Sequence, residues 1–393
     1  MTEPNTVYGL FNDSFPPALD GVTLTVQNYV KWLTAKGKKV CVVTPWDPYD
    51  PPHPDFEMHR YFSLPIYNRH PYRYGYPRLD PVIWHKIRRV PFRIVHAHCP
   101  FSSGRLARYA AQKHDVPLVA TFHSKYRTDL EHSLPAPMIR YQMKRIREFY
   151  NSADALWIPQ AAVEETVREY GITAPVTVVD NGNDFNQGGM PLESVREEAR
   201  RRLGIPRGRF VLLFVGQHIL QKGIEIIIDS LPLLPERIDW EMHFVGNGYA
   251  RQDMMRKVRL MGLDDKVTFH GLVHERDELR DIYAASDLFL FPSFYDNAPL
   301  VVREAAMMGT PAVLLEGSTA AEVITHGENG FLTGRTPQEY AVAVTRLHDD
   351  PDMLTRIADG ARRTLSRSWD NVMEEVMQRY DDIIARYEFR HKK

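Results

Sequence analysis

A chain of 393 residues exceeds what one hydrophobic core ordinarily supports, so two domains of roughly 150–200 residues are expected. The composition is that of an ordinary globular enzyme, and the net charge of −1 by itself points to no class of partner. The opening Met-Thr-Glu-Pro-Asn lacks a charged n-region followed by an apolar run, and no window approaches 18 uninterrupted apolar residues. Secretion and membrane spanning are therefore not expected, and the reading is a cytoplasmic protein. Charge is segregated along the chain: residues 60 to 147 hold 17 Lys and Arg against 4 acids, so that segment is +13 and the remainder −14. Cys41 and Cys99 lie in or beside apolar, strand-like runs without metal-type spacing and read as buried, reduced thiols.

Thr6 to Phe11 reads as a short buried strand, followed by the loop Asn12 to Gly21 and a helix from Val22 to Lys36 with apolar residues at helical spacing. Lys39 to Thr44 is the next strand, which gives the strand–loop–helix–strand opening of a doubly wound parallel sheet. Gly21 at the helix entrance either admits a ligand close to the backbone or is a turn glycine. Residues 45 to 80 are rich in Pro, Tyr and His and read as a long excursion from the sheet. Its interleaved Arg and Tyr suit nucleic acid, sugar or a membrane interface, or else a Pro-stiffened surface loop. Strands at Ile94 to His98 and Pro117 to Phe122 flank a helix from Gly104 to His114. His96 and His98 read as structural, whereas His123, at the carboxyl end of a parallel strand, stands where such sheets bind ligands. A basic amphipathic helix follows at Met138 to Tyr150, then a strand at Ala155 to Pro159 and a helix at Ala162 to Tyr170.

Asn186 to Pro191 is Gly-rich and reads as the linker to a second domain. There, Phe210 to Val215 opens a new sheet and leads through Gly216-Gln217 to Lys222-Gly223 and an apolar helix, Ile224 to Leu234. Further strands at Glu241 to Val245 and Val267 to Val273 alternate with a helix at Arg251 to Met261. The most informative stretch is Phe289 to Pro311: strand, Pro-Ser loop, helix, then Gly-Thr-Pro into another strand. Its acids Asp296 and Glu304 are eight positions apart, one at the mouth of the helix and one inside it. A phosphorylated ligand at that mouth would meet the N–H groups of Asn297, Ala298 and Leu300, Pro299 having none, and the positive end of the helix dipole. Asp350-Pro351-Asp352 reads as a helix start, not a metal site. The ligand of two such domains is expected in the cleft between their strand ends.

The chain resembles the family 4 retaining glycosyltransferases of the GT-B fold over nearly its whole length. The resemblance is carried by Pro16-Pro17 to Asp20-Gly21, Gly216 to Lys222-Gly223, Val245-Gly246-Asn247-Gly248, the Pro292-Ser293 loop with its paired acids, Gly309-Thr310-Pro311, and Glu328 to Leu332. Within that family Asp20-Gly21-Val22, His98 to Gly104 and Thr121 to Tyr126 are most similar to the subgroup with diacylglycerol glucosyl- and sulfoquinovosyltransferases. The resemblance implies two Rossmann-like α/β domains facing across a cleft: 1–187 on the acceptor side, 188–368 binding the donor, and a last helix within 369–393 packing back on the first.

It also implies site roles. Lys222 would hold the donor diphosphate, Glu304 the ribose hydroxyls, and Asp296 the transferred sugar. Asn297, Ala298, Pro299 and Leu300 would line the sugar and its phosphate, with Gly246 and Val273 completing the donor site. His123 would face the sugar from the first domain and Gly21 would make room for the diphosphate. Two departures stand out: Gln217 occupies the place of the family's usual Arg, and Asp296 with Asn297-Ala298 replaces the commoner Glu with Phe-Gly. The implied activity is metal-independent transfer of a hexose, without cofactor, from a nucleotide diphosphate sugar, UDP-linked by expectation, to a hydroxyl. The basic segment 60–147 suggests a lipid acceptor at an anionic membrane surface. The alternatives are a saccharide acceptor in polysaccharide assembly, or a GT-B isomerase or binder of nucleotide sugars. Nucleic acid is not an expected partner.

Overall fold

The computed structural model describes residues 6–18, 20–49, 56–66, 72–131, 134–185, 190–294 and 296–391. The chain divides into two compact units, Met1–Asn181 with Trp369–Lys393, and Gly182–Ser368. Most of the proposed linker, residues 186–189, lies outside the described residues, as do 67–71 of the Tyr- and Arg-rich stretch.

In the first unit, strand β1 (Val7–Phe11) leads to helix α1 (Gly21–Ala35), whose Asp20 cap accepts from the Thr23 N–H at 2.7 Å. Strands β2 (Lys39–Pro45), β3 (Glu57–Tyr61), β4 (Ser63–Pro65) and β5 (Arg73–Gly75) follow, then α2 (Pro81–Ile87), β6 (Phe92–Ala97), α3 (Ser102–His114) and β7 (Leu118–Thr121). The unit continues with α4 (Tyr126–Glu131), α5 (Ala136–Asn151), β8 (Ala155–Ile158), α6 (Val163–Glu169) and β9 (Val176–Val178). Its seven-stranded sheet has the order β3-β2-β1-β6-β7-β8-β9, with every pair parallel. The excursion expected over 45–80 is thus partly sheet: β3 pairs with β2 as an edge strand, and β4 and β5 form a small antiparallel ribbon. β1 is buried throughout, as a strand covered on both faces must be.

The second unit runs α7 (Leu192–Leu203), β10 (Phe210–Val215), α8 (Ile224–Ser230), β11 (Trp240–Val245), α9 (Arg251–Leu260), β12 (Val267–Gly271), α10 (Arg276–Ala285) and β13 (Leu288–Phe291). Then come α11 (Leu300–Met307), β14 (Ala312–Leu315), β15 (Phe331–Thr333), α12 (Pro337–Asp349) and α13 (Pro351–Leu365), the last capped by Asp350. Its parallel sheet is ordered β12-β11-β10-β13-β14-β15. The apolar helix expected over 224–234 stops at Ser230 and tightens into a 3₁₀ turn at Leu231–Leu233, because Pro232 cannot donate to the helical ladder. The final helix α14 (Trp369–His391) belongs to the first unit, where Tyr380 stacks on Trp157 at 5.4 Å and bonds His96 at 2.6 Å.

In each sheet the winding reverses beside the first strand, at β1/β6 and at β10/β13. Such switch points leave a crevice at the carboxyl ends of the strands, because the two flanking connections depart to opposite faces. In the second unit that places the turns after β10 and β13 side by side. Asp287 sets this register: it accepts from the Val211 N–H at 2.7 Å and pairs with Arg196 and Arg200, while its own N–H donates to the Val211 carbonyl at 2.8 Å. Replacing Asp287 by Ala leaves two half-buried guanidinium groups uncompensated and should lower stability by about 3 kcal/mol. A urea midpoint equal to that of the native chain would contradict this role.

Candidate functional site

The turn after β10 closes on the loop after β13. Gly223 has φ +69, and a Cβ there would lie 2.2 Å from the Pro292 carbonyl oxygen. Only glycine allows that approach. A Cβ on Gly246 would lie 1.9 Å from the Gly216 carbonyl, so the end of β11 is pressed equally close to the start of the turn. Lys222, only 9% exposed, consequently reaches across, and its Nζ donates to Asp296 Oδ1 at 2.5 Å. The other oxygen of Asp296 accepts from Ser293 Oγ at 2.6 Å, and the ammonium stands 5.6 Å from the Phe291 ring centroid. The carboxylate compensates the ammonium across this nearly closed contact.

Glu304 has a separate set of partners. On α11 it is 5% exposed, with Oε1 accepting from Arg276 at 2.8 Å and Oε2 from the Tyr283 hydroxyl at 2.9 Å. Arg276 also pairs with Asp184 and lies over the Phe185 ring at 4.2 Å. Burial works against its charge, but Glu304 and Asp184 more than offset that and raise its pKa. Burial likewise pushes the Tyr283 hydroxyl well up, with Glu304 adding to the effect. A carboxylate oxygen has two lone pairs, so Glu304 can accept a further hydroxyl while these bonds fix its orientation. Arg276, Tyr283 and Asp184 were not among the residues expected from sequence. The only local sign was the acidic helix start at Arg276-Asp277-Glu278.

Between the two acids, Asn297 is buried, Ala298 and Pro299 are half-buried, and α11 begins at Leu300 with no side chain capping it. The helix therefore directs its first-turn N–H groups and the positive end of its dipole toward this loop. Gln217 is half-buried in the turn that carries Lys222, and Val273 is half-buried just past β12. The adjoining His218 is fully buried near Phe214, Phe244 and Phe269, and burial, then Arg251, lowers its pKa to about 4.

The remaining two expected residues belong to the first unit. Gly21 is exposed as the first residue of α1, at the carboxyl end of β1. His123 follows β7, and its Nε2 lies 3.1 Å from His98 Nδ1. His96, His98 and His123 stack in series, with centroids 4.0 and 5.3 Å apart. His96 bonds Tyr380 and Thr121 through its two nitrogens. Burial holds His96 and His98 well below the usual histidine range, and lowers His123 to about 3. The stack is therefore neutral at physiological pH.

Solved structures with this pair of units share the GT-B fold. Anabaena HepE in complex with UDP-glucose superimposes with a TM-score of 0.75 at 20% identity, over 95% of this chain and 99% of that one. Sucrose-phosphate synthase from Thermosynechococcus elongatus gives 0.79 at 19% identity, over 97% and 99%. In sequence, residues 19–187 match the model described as Glycosyltransferase Family 4, and residues 195–364 that described as Glycosyl transferases group 1. The D-inositol 3-phosphate glycosyltransferase of Xylanimonas cellulosilytica is 30% identical over 302 residues, 74% of this chain and 72% of that protein. The alpha-monoglucosyldiacylglycerol synthase of Streptococcus pneumoniae is 23% identical over 311 residues, 78% and 70% of the two chains. The fold and these likenesses define a GT-B glycosyltransferase. The chain belongs to glycosyltransferase family 4.

The histidine stack sets a pH dependence of stability. Unfolding returns each ring to its ordinary pKa near 6.5, so below that pH the unfolded chain binds more protons than the folded one. Stability should therefore fall from pH 7 to pH 5, by up to roughly 1.4 kcal/mol per pH unit for each histidine. His98→Asn should reduce the slope of urea stability against pH by about one proton. An unchanged slope would show that His98 is not held neutral.

Proposed function

We propose that the protein is a retaining, metal-independent hexosyltransferase that uses a UDP-linked sugar and glycosylates a hydroxyl of a membrane lipid. The observation that carries the donor half is the buried Lys222–Asp296 pair at the mouth of α11, two turns of chain from an anchored Glu304. In the assignment that follows from the family, Lys222 and the α11 N-terminus receive the charge that grows on the departing diphosphate. That is the task for which other enzymes use a divalent cation. Gln217 adds a neutral hydrogen bond where the family usually has an Arg. The family resemblance assigns Asp296 and His123 to the sugar, Glu304 to the ribose and Gly21 to the diphosphate.

The bond from sugar C1 to the phosphate oxygen breaks with its electron pair going to phosphate. The acceptor hydroxyl attacks from the same face and passes its proton to a phosphate oxygen, so configuration is kept and no enzyme nucleophile is needed. UDP is favoured as the carrier because HepE is described in complex with UDP-glucose. Thermal shift with UDP-, GDP- and ADP-glucose should give the largest stabilisation with the UDP sugar. Glu304→Ala should lose transfer by about a hundredfold or more with the fold retained. Near-normal activity in that variant would remove the assigned site.

The acceptor half rests on the surface of the first unit. Large apolar side chains stand exposed around the β4–β5 ribbon: Trp46, Tyr49, Phe62, Leu64, Leu79 and Val82. Arg73 lies over the Trp46 ring, and the outer side of α5 adds exposed Met138 and Tyr141 among Arg140, Lys144 and Arg147. Aromatic and basic residues together suit an anionic lipid interface. No helix among the described residues is long and apolar enough to cross a membrane, so attachment would be to the surface. Anionic liposomes should retain the protein at low salt, and Arg140→Glu with Lys144→Glu should weaken retention severalfold. Failure of the native chain to bind them would favour a second reading, a soluble hydroxyl acceptor, which the relatives named as D-inositol 3-phosphate glycosyltransferases support. Conversion of the nucleotide sugar without an acceptor would instead mark an isomerase.

A further inference from the structure

We propose that Cys41, Glu57 and His59 form a binding site for a zinc-type divalent cation that ties the edge strand β3 to β2. The proposal goes beyond glycosyl transfer, and none of the three residues is assigned to the donor. β2 and β3 run parallel with Cys41 opposite Glu57 and Val43 opposite His59, so positions 41, 57 and 59 share one face of the sheet. The Cys41 sulfur, a Glu57 carboxylate oxygen and a His59 ring nitrogen all lie within 4.8 Å of one another. Thiolate, imidazole and carboxylate are the three donor types zinc takes, and three protein ligands leave a fourth position for water.

The geometry needs only a small adjustment. Bonds of about 2.0–2.3 Å place tetrahedral ligand atoms roughly 3.5 Å apart. Cys41 is fully buried and the His59 side chain 10% exposed, whereas that of Glu57 is 49% exposed and can turn inward. His59 Nε2 already faces the Glu57 carboxylate at 3.0 Å, and the ring is also hydrogen-bonded to the Met58 backbone. A second bond of that kind is what orients a ligating imidazole.

Charge is balanced as well. A thiolate and a carboxylate together neutralise a divalent cation, so the occupied site carries no net charge. A thiol ligates as the thiolate, so cation binding at Cys41 is accompanied by proton release. Lys86 is the opposing charge at His59, and it limits affinity. The consequence for the fold is local. Tyr61, two residues beyond His59 and on the same face, donates to Asp13 at 3.1 Å and meets Ser103 Oγ at 2.7 Å, so β3 supports the loop that leaves β1.

Cobalt(II) titrated into the reduced full-length protein tests this. The expected result is a thiolate-to-cobalt charge-transfer band that saturates at about one equivalent, with proton release, and is displaced by zinc. The band should vanish in Cys41→Ser and persist in Cys99→Ser, the other cysteine in the chain. Glu57→Gln and His59→Asn should each weaken cobalt binding at least tenfold. These two read the site independently if Cys41→Ser folds poorly, because Glu57 is exposed and His59 sits on an edge strand. Absence of the band in the native chain, its persistence in Cys41→Ser, or native affinity in both other variants would overturn the proposal.

Discussion

At the end of the second unit's sheet a lysine and an aspartate, both largely closed off from water, compensate each other across one short contact. Lys222 and Asp296 do so across the switch point of the second unit, joining the turn after β10 to the loop after β13. Removing either partner would strand the other, at a cost of roughly 3–5 kcal/mol. The pair depends in turn on Gly223, without which the Pro292 carbonyl would block the approach, and on Asp287, which holds β13 in register with β10. The loop leading into α11 is thus held by an ion pair made of residues that would also have to meet a ligand.

The second acid is compensated differently. Glu304 is gripped by Arg276 and Tyr283, and Arg276 is itself shared with Asp184. Its negative charge is balanced inside the protein, leaving spare lone pairs to accept from hydroxyl groups without bringing an uncompensated charge toward a phosphate. Asp296 differs because its partner is the lysine itself. Under the proposed donor assignment, an arriving diphosphate would compete with Asp296 for that ammonium and free the carboxylate. The two acids therefore have separate electrostatic tasks although they stand eight positions apart on one segment.

Much of this was legible in the sequence. The β10 turn, the paired acids, the Gly-Thr-Pro exit and the alternation of apolar runs with amphipathic helices are local patterns. Each depends on neighbours a few residues away, and apart from the helix after Gly223, which ends at Ser230, the elements appear within a residue or two of where those patterns place them. Two kinds of feature were not legible. β3 was hidden in a Pro- and Tyr-rich stretch, because a parallel edge strand is defined by its partner β2 rather than by its own composition. Arg276, Tyr283 and Asp184 reach Glu304 from distant positions in the chain, and no local signal links them.

The sequence by itself determined the class of fold, two parallel α/β units, and the chemical types at the strand ends, because periodicity and turn chemistry act at short range. It also carried the segregation of positive charge into residues 60–147. Only the tertiary structure decided which charges pair. Lys222 with Asp296, Arg276 with both Asp184 and Glu304, and the neutral stack of His96, His98 and His123 are outcomes of packing. The physical reason is that burial makes an isolated charge costly, so the identity of each side chain's neighbour, which chain order does not specify, decides whether it is an ion, a neutral ring or a ligand.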